Sequence, residues 1–289
     1  MAKVAFVGLG VMGFPMAGHL AERGHHVTVY NRTAARAETW GARHNGQIAP
    51  TPRQACHGAE IAFVCVGNDS DVRAVVGGND GMLAGLAPGS VIVDHTTASA
   101  DLARALALEC GGLGIGFVDA PVSGGQAGAE NGALTIMCGG AEADYARAEP
   151  VMVAYAKACR RMGASGSGQL TKMVNQLCIA GLVQGLAEAM NFGMKAGLPM
   201  ADVIDVIGKG AAQSWQMDNR AGTMCEGRFD FGFAVDWMRK DLRICLDEAR
   251  RNGAQLPVAA LVDQFYAAIQ ARGGGRWDTS SLLSLLSDP

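Results

Sequence analysis

With 289 residues the chain has room for two domains and a sizeable core. Hydrophobic residues make up 49% and charged residues 18%, which excludes a disordered chain, and a net charge of −3 excludes the basic footprint that nucleic acid requires. Gln184 and Glu188 interrupt the longest apolar segment, so no membrane span is expected.

The first expected strand covers residues 4–7 and runs directly into Gly8-Leu9-Gly10-Val11-Met12-Gly13, then an Ala-rich helix start. Strand, G-x-G-x-x-G turn and helix follow in the order a dinucleotide-binding unit requires. Gly8 permits the tight turn, Gly10 lets the backbone approach a pyrophosphate, and Gly13 lets helix and strand pack closely. The phosphates would meet free N–H groups at the helix N-terminus. Gly8, Gly10, Val11, Met12 and Gly13 are therefore the first candidate cofactor residues. A glycine turn can also serve structure alone, and the strand and helix around this one favour the nucleotide.

A second strand over 27–30 ends in Asn31-Arg32-Thr33. NAD-selective sites place Asp or Glu here, about 20 residues past the glycines, to hold the ribose 2′-hydroxyl. Asn31 replaces that acid, Arg32 follows it, and Arg36 lies one turn further on. A guanidinium without a competing carboxylate suits a 2′-phosphate, so NADP is expected ahead of NAD, with Asn31, Arg32 and Thr33 as contacts.

Further strands are expected over 61–66, 91–94, 117–119 and 134–137, most of them separated by helical stretches. Val66 closes the first of these. Asp94-His95-Thr96-Thr97 ends the next, where hydroxyls such as that of Thr96 reach for ribose or nicotinamide; His95 reads as an ordinary loop histidine. Asp119-Ala120-Pro121-Val122-Ser123-Gly124-Gly125 leaves the following strand at its C-terminal edge, where open α/β sheets bind ligands. Its Ser-Gly-Gly backbone can present several N–H donors to an anion.

Around Arg161 the pattern changes. Gly163-Ala164-Ser165-Gly166-Ser167-Gly168 reads as a flexible hinge, with no strand beyond it. One long run of helix formers extends from Gln169 to about Ala196, then shorter amphipathic pieces, with Gly273-Gly274-Gly275 as a surface loop. The expected architecture is an α/β N-terminal Rossmann domain over 1–163, doubly wound around a mostly parallel sheet. An all-α C-terminal domain for substrate and dimerisation follows over 164–289, joined through the long helix. Gly181, Gly185, Ala189 and Gly193 recur along that helix at four-residue spacing, which suits either packing within the chain or a subunit interface.

Lysine is scarce, and Lys172 opens the long apolar helix beside Asn175 and Gln176 on one stripe. Unpaired polar groups at the mouth of a buried helix are costly, so the trio marks a site. A lysine in such a pocket can be tuned towards neutrality as a general acid or base. The eight cysteines show no C-x-x-C or metal-like spacing. They read as buried reduced thiols, Cys65, Cys138 and Cys178 among them, with no metal site. A strand that begins almost at the first residue leaves no signal peptide, and a cytoplasmic protein is expected.

Together these motifs resemble the β-hydroxyacid dehydrogenase family, which includes 3-hydroxyisobutyrate dehydrogenase and tartronate semialdehyde reductase. The resemblance spans nearly the whole chain, through GLGVMGFPMAGHL at 8–20, DAPVSGG at 119–125, GSGQLTKMVNQ at 166–176 and KDL at 240–242. It implies that Lys172 is the catalytic acid–base and that Ser123, Gly124 and Gly125 grip the substrate carboxylate. It also implies that Lys240 and Asp241 close over the nicotinamide end. Many members carry Asn where this chain has Gln176; the Asn-Gln pair is similar to the tartronate semialdehyde reductase version. Trp215 falls where the resemblance puts the pocket, as do Phe231 and Phe233. The implied reaction moves a hydride between nicotinamide and C3 of a small 3-hydroxy acid, or reduces the matching semialdehyde, in a homodimer or homotetramer. Semialdehyde substrates of four carbons and glyoxylate fall within the same family. A 6-phosphogluconate-type enzyme would be longer and more basic, and an imine reductase would replace the lysine. A non-catalytic NADPH-binding module would have no use for Lys172, Asn175 and the Ser123 turn.

Overall fold

The computed structural model describes residues 1–286. Two compact units emerge, Met1–Lys172 and Met173 onward. In the first, short apolar strands alternate with helices: β1 (Lys3–Val7), α1 (Gly13–Glu22), β2 (His26–Tyr30), α2 (Ala34–Gly41), β3 (Gln47–Ile48), α3 (Pro52–Cys56), β4 (Ile61–Val64) and α4 (Asp69–Val76). The chain continues through β5 (Val91–Asp94), α5 (Ala100–Gly112), β6 (Gly116–Asp119), β7 (Val122–Ser123), α6 (Gly125–Glu130), β8 (Leu134–Gly140), α7 (Glu142–Met152) and β9 (Ala156–Gly163). Helix α8 (Ser167–Lys195) carries it into the second unit.

The strands form one sheet in the order β3-β2-β1-β4-β5-β6-β8-β7, with β9 also on β8. Pairing is parallel from β3 to β6 and between β8 and β9, and antiparallel where β8 meets β6 and β7. The doubly wound, mostly parallel domain is therefore present. Period-two alternation builds its two cores: Val4 and Phe6 of β1 face one side with Leu20 and Trp40, while Ala5 and Val7 face the other with Ile92 and Leu106. The order reverses at β1, between β2 and β4, and ligands of open sheets bind at such a point.

Three strands lay outside the sequence reading. β3 and β7 are two residues long, and β9 carries Lys157, Arg160 and Arg161 instead of an apolar alternation. An edge strand marked by cations resists pairing with other chains, which explains its polar composition. The glycine-rich segment read as a flexible hinge is corrected too. Gly163 closes β9, α8 begins at Ser167, and hydrogen bonds from the Gly166 and Gln169 amides pin the turn to Asp119. The triple glycine is likewise no plain surface loop. Residues Gly274–Arg276 form a 3₁₀ turn in which Gly274 is buried, leaving no room for a side chain against Trp277 and Ile269.

Among the described residues the second unit is built of helices, α9 (Met200–Ile207), α10 (Trp215–Cys225), α11 (Val235–Asn252) and α12 (Pro257–Ala271), closed by a 3₁₀ segment at Thr279–Leu285, with one isolated antiparallel bridge between Ala234 and Asp278. By length and composition α8 is long and apolar enough to cross a membrane, contrary to the interruption expected at Gln184 and Glu188. Its apolar stripe of Ala180, Val183, Leu186, Ala187 and Met190 instead joins Met238 and Leu242 of α11 and Val262, Tyr266 and Ile269 of α12 in one core. The row of small residues divides. Gly193 admits the Met200 sulfur and Gly181 faces Val258, which is packing within the chain, whereas Gly185 and Ala189 stay exposed. Cys138 is buried, Cys65 is half-buried and Cys178 is exposed, so burial does not extend to all three thiols.

Candidate active site

The glycine turn links β1 to α1 at the reversal point of the sheet. Gly8 has φ of +100°, and any side chain there would enter the carbonyl of Cys65 past the end of β4. Gly13 abuts the Gly8 carbonyl in the same way, so both positions exclude larger residues sterically. Gly10 differs: a Cβ there would meet no atom within 4 Å. Helix α1 also starts bare. It has no side-chain cap and no acidic residue in its first turn, whereas α4 and α5 are capped by Asn68 and Ser99. Open space beside unclaimed amides at a positive helix end fits a pyrophosphate.

Asn31 and Arg36 hold this turn from below. The Leu9 amide donates to Asn31 Oδ1 at 2.8 Å, Asn31 Nδ2 donates to the Thr33 carbonyl, and Arg36 Nη1 donates to the Leu9 carbonyl at 3.3 Å. Arg32 is different in kind. Its side chain is 88% exposed, with Asp71 at 3.6 Å. Thr33 precedes α2, and its side chain makes no cap hydrogen bond.

The ends of β4, β5 and β6 are tied together. The Val66 amide donates to Thr96 Oγ1 at 3.0 Å, the Thr96 amide to Asp94 Oδ1 at 2.8 Å, and Gln169 Nε2 to the Thr96 carbonyl at 2.7 Å. Thr96 is itself buried, and its hydroxyl oxygen already accepts one bond. Burial pushes the Asp94 carboxyl up to about 7, against the hydrogen bonds from Thr96. Burial likewise raises Asp119 to about 6, opposed by the amides of Gly166, Gln169 and Gly168.

His95 lies in the loop after β5, as read, but it is buried and bonded at both ring nitrogens, so it is not an ordinary loop histidine. Its Nδ1 lies 2.6 Å from the Ala120 carbonyl and its Nε2 lies 2.8 Å from the Tyr155 hydroxyl. A carbonyl only accepts, so Nδ1 carries the proton and Nε2 accepts from tyrosine. Burial lowers its pKa to about 4, and the ring stays neutral as a brace behind the Asp119–Gly125 segment. His19 of α1 plays a similar part, its Nε2 donating to the carbonyls of Ala129 and Glu130 around the end of α6.

Ser123 sits at the end of β7, half-buried, and Gly124 and Gly125 follow with φ of +133° and +61°. Only glycine adopts such a pair without strain, and Gly124 serves as the uncapped N-terminal residue of α6. Lys172 lies one turn into α8 and is 7% exposed. In the first unit, the structure thus brings the glycine turn, the Thr96 brace, the Ser123 turn and the start of the lysine helix to the C-terminal ends of the parallel strands.

In the second unit, α8 and α11 share a hydrogen-bonded chain. Asn175 Nδ2 donates to Gln176 Oε1 at 2.8 Å, Gln176 Nε2 donates to Asp241 Oδ2 at 2.7 Å, and Lys240 Nζ pairs with Asp241 Oδ1 at 3.1 Å. Both ends of the Gln176 amide and both oxygens of Asp241 are engaged within the protein. Trp215 starts α10 and is 51% exposed. The Arg220 guanidinium stands 5.0 Å from its ring centroid and 5.0 Å from that of Phe231, while Arg220 Nε bonds Asp278.

Sequence reasoning passed over Arg220 and Asp278, which no motif marks. It quoted Asp119 and Gln169 within motifs but gave them no task. No local signal marks the task of Gln169, because its side-chain amide meets Ala98 and Thr96, 71 and 73 positions earlier.

Two family models match the chain. The NAD-binding domain of 6-phosphogluconate dehydrogenase matches residues 3–163, and the NAD-binding domain of NADP-dependent 3-hydroxyisobutyrate dehydrogenase matches residues 166–286. An uncharacterized oxidoreductase of Shewanella frigidimarina is 63% identical over 99% of this chain and 98% of its own. A probable mitochondrial 3-hydroxyisobutyrate dehydrogenase-like protein of Arabidopsis thaliana is 40% identical over 98% of this chain and 85% of its own. Among solved structures, 3-hydroxyisobutyrate dehydrogenase of Mycobacterium tuberculosis with L-serine superposes with a TM-score of 0.90, at 29% identity over 100% of both chains.

Proposed function

The chain belongs to the β-hydroxyacid dehydrogenase family and is an NAD(P)-dependent 3-hydroxyacid dehydrogenase, and from that premise we propose that it prefers NADP and uses Lys172 as general acid–base. One observation carries the reading: Lys172 is buried one turn into a helix whose start is anchored at the ends of β5 and β6. The first-unit residues also suit the cofactor, since α1 begins bare beside open space at Gly10. When bound, the nicotinamide supplies the hydride acceptor in oxidation and the donor in reduction.

The protein's own groups do the rest. Lys172 Nζ takes the proton of the substrate 3-hydroxyl in oxidation and returns it in reduction. Amides of Ser123, Gly124 and Gly125 hold the carboxylate, so that C3 and not C2 is held for reaction. Asn175 hydrogen bonds to the substrate, with Gln176 and Asp241 orienting its amide and Lys240 anchoring Asp241. Arg32, exposed and with Asp71 at 3.6 Å, reads the 2′-phosphate, and the neighbouring Asn31 adds no further negative charge against it. Val11, Met12, Val66 and Thr96 complete the cofactor contacts, and residues 1–163 are the domain that carries them.

The substrate class is a small 3-hydroxy acid resembling 3-hydroxyisobutyrate, serine or glycerate, or the matching semialdehyde. The names of the Arabidopsis relative and of the serine-bound mycobacterial enzyme support it. The working form is a homodimer or homotetramer in the cytoplasm. Initial rates on L-serine, D- and L-3-hydroxyisobutyrate, D-glycerate and 4-hydroxybutyrate, each with NADP and with NAD, test the reading. Activity on at least one 3-hydroxy acid with NADP preferred about tenfold or more is expected. A silent panel in a protein that still binds NADPH would refute it.

A further inference from the structure

Asp119 closes β6, is wholly buried, and has no part in the reaction set out above. Its Oδ1 accepts the Gly166 amide at 2.7 Å and its Oδ2 accepts the Gln169 amide at 2.9 Å, with the Gly168 amide also directed at the carboxylate. These amides belong to the start of α8, where a helix leaves its first N–H groups without intrahelical partners and its dipole favours negative charge. A helix is ordinarily capped by the residue just before it. Here the cap comes from a strand end 47 residues earlier in the chain. The seat is closely fitted. A side chain at Gly168 would enter the carbonyls of Met137 and Asp119, and a Cβ at Gly139 would lie 2.6 Å from Asp119 Oδ1.

Gln169 makes the second tie. Its Oε1 accepts the Ala98 amide at 3.0 Å while its Nε2 donates to the Thr96 carbonyl at 2.7 Å. Both donor and acceptor of one side-chain amide are spent on the segment that follows β5. Lys172 lies three residues beyond Gln169, the next position on the same helical face. The helix that bears the lysine is thus fastened at its first turn to β6 through Asp119 and to β5 through Gln169.

We propose that Asp119 and Gln169 are positioning residues of the dehydrogenase reaction, locking the first turn of α8 to the ends of β5 and β6 so that Lys172 is held at a set place above the sheet. The proposal rests on the reading of Lys172 as acid–base. Its physical basis is that displacing a reacting group by about 1 Å can cost about a hundredfold in rate without altering binding.

The test compares Asp119→Asn, Gln169→Leu and Lys172→Ala with the parent, using the best 3-hydroxy acid of the panel above and NADP. For the first two variants, kcat falls about tenfold to a hundredfold, while KM and the Kd for NADPH stay within about twofold. Gln169→Leu removes no charge, yet it moves the lysine-dependent limb of the kcat–pH profile by about half a unit or more, because Lys172 changes surroundings. A loss of structure alone would lower the amplitude and leave that limb in place. Amide hydrogen exchange on the cofactor-free protein gives a readout independent of turnover. The Gly166 and Gln169 amides exchange about tenfold faster or more in Asp119→Asn. Should Asp119→Asn fail to fold, Gln169→Leu decides. Unchanged kcat and pH limb in Gln169→Leu, with Lys172→Ala inactive, would overturn the positioning role alone. Full turnover by Lys172→Ala would overturn the acid–base reading and the positioning role with it.

Discussion

Helices α1 and α8 both begin after a run of glycines, GLGVMG and GASGSG, and both start at the same edge of the sheet, yet their first turns are treated in opposite ways. At α1 no side chain caps the helix, no acid stands in the first turn, and Gly10 faces open space. At α8 a buried carboxylate closes on the first amides, and an amide side chain fastens the turn to the neighbouring strand end. The same local composition leaves one helix start open to an anion, where the protein withholds its own acid, and fastens the other, where it supplies one. Glycine content alone does not distinguish a binding loop from a support.

The largest expected consequence lies on the mounted helix. Lys172→Ala should lower kcat by about a thousandfold, from loss of general acid–base transfer, with NADPH binding retained; fluorescence titration and steady-state rates check both halves. At the bare helix, Arg32→Asp should move the NADP-to-NAD ratio of kcat/KM by about a hundredfold towards NAD, since a charge-assisted pair is replaced by repulsion. An unchanged ratio would assign the 2′-phosphate to another group. The glycines themselves divide. Gly10→Ala, at a position with no neighbour within 4 Å, should weaken NADPH binding about tenfold and leave the melting temperature unchanged. Gly13→Ala drives a methyl into the Gly8 carbonyl and should cost about 2 kcal/mol of stability, read by chemical denaturation.

The smallest effect concerns pH. Asp94 is raised from 3.8 to about 7 by burial, with Asp119 and Asp69 adding repulsion against the Thr96 hydrogen bonds. A carboxyl raised in the folded state contributes stability that is complete below its unfolded pKa and is lost as pH rises through the folded one. The parent's melting temperature should therefore fall between roughly pH 4 and pH 7, by ~2–4 °C per kcal/mol lost, and Asp94→Asn should flatten that slope. Equal slopes for both proteins by calorimetry would show that Asp94 is not the group titrating.

Much of this was legible in the residues. Repeated short apolar runs between helices announce a parallel sheet, because only βαβ crossovers bury both of its faces, and β5 falls at residues 91–94 as read. The glycine turn was legible through Gly13, which answers to Gly8 and Phe6 within the same βα unit, whereas Gly8 answers to Cys65 past the end of another strand. Long-range relations were not. Nothing local told that GASGSG would be fastened, because its partner Asp119 lies on another strand. His95 is a loop residue whose burial was not legible, because Tyr155, which it meets, lies 60 positions away. Likewise, β9 was hidden by its cations, since an edge strand needs only one neighbour and no apolar alternation. By itself, the sequence determined the alternation of strand and helix, the bare glycine turn and the lone lysine of the polar trio, because these depend on residue type and short spacing. Tertiary structure alone decided which glycine run is left open and which is fastened, and which carboxylates are buried. Those outcomes depend on partners brought together from distant positions, and on the loss of water around them.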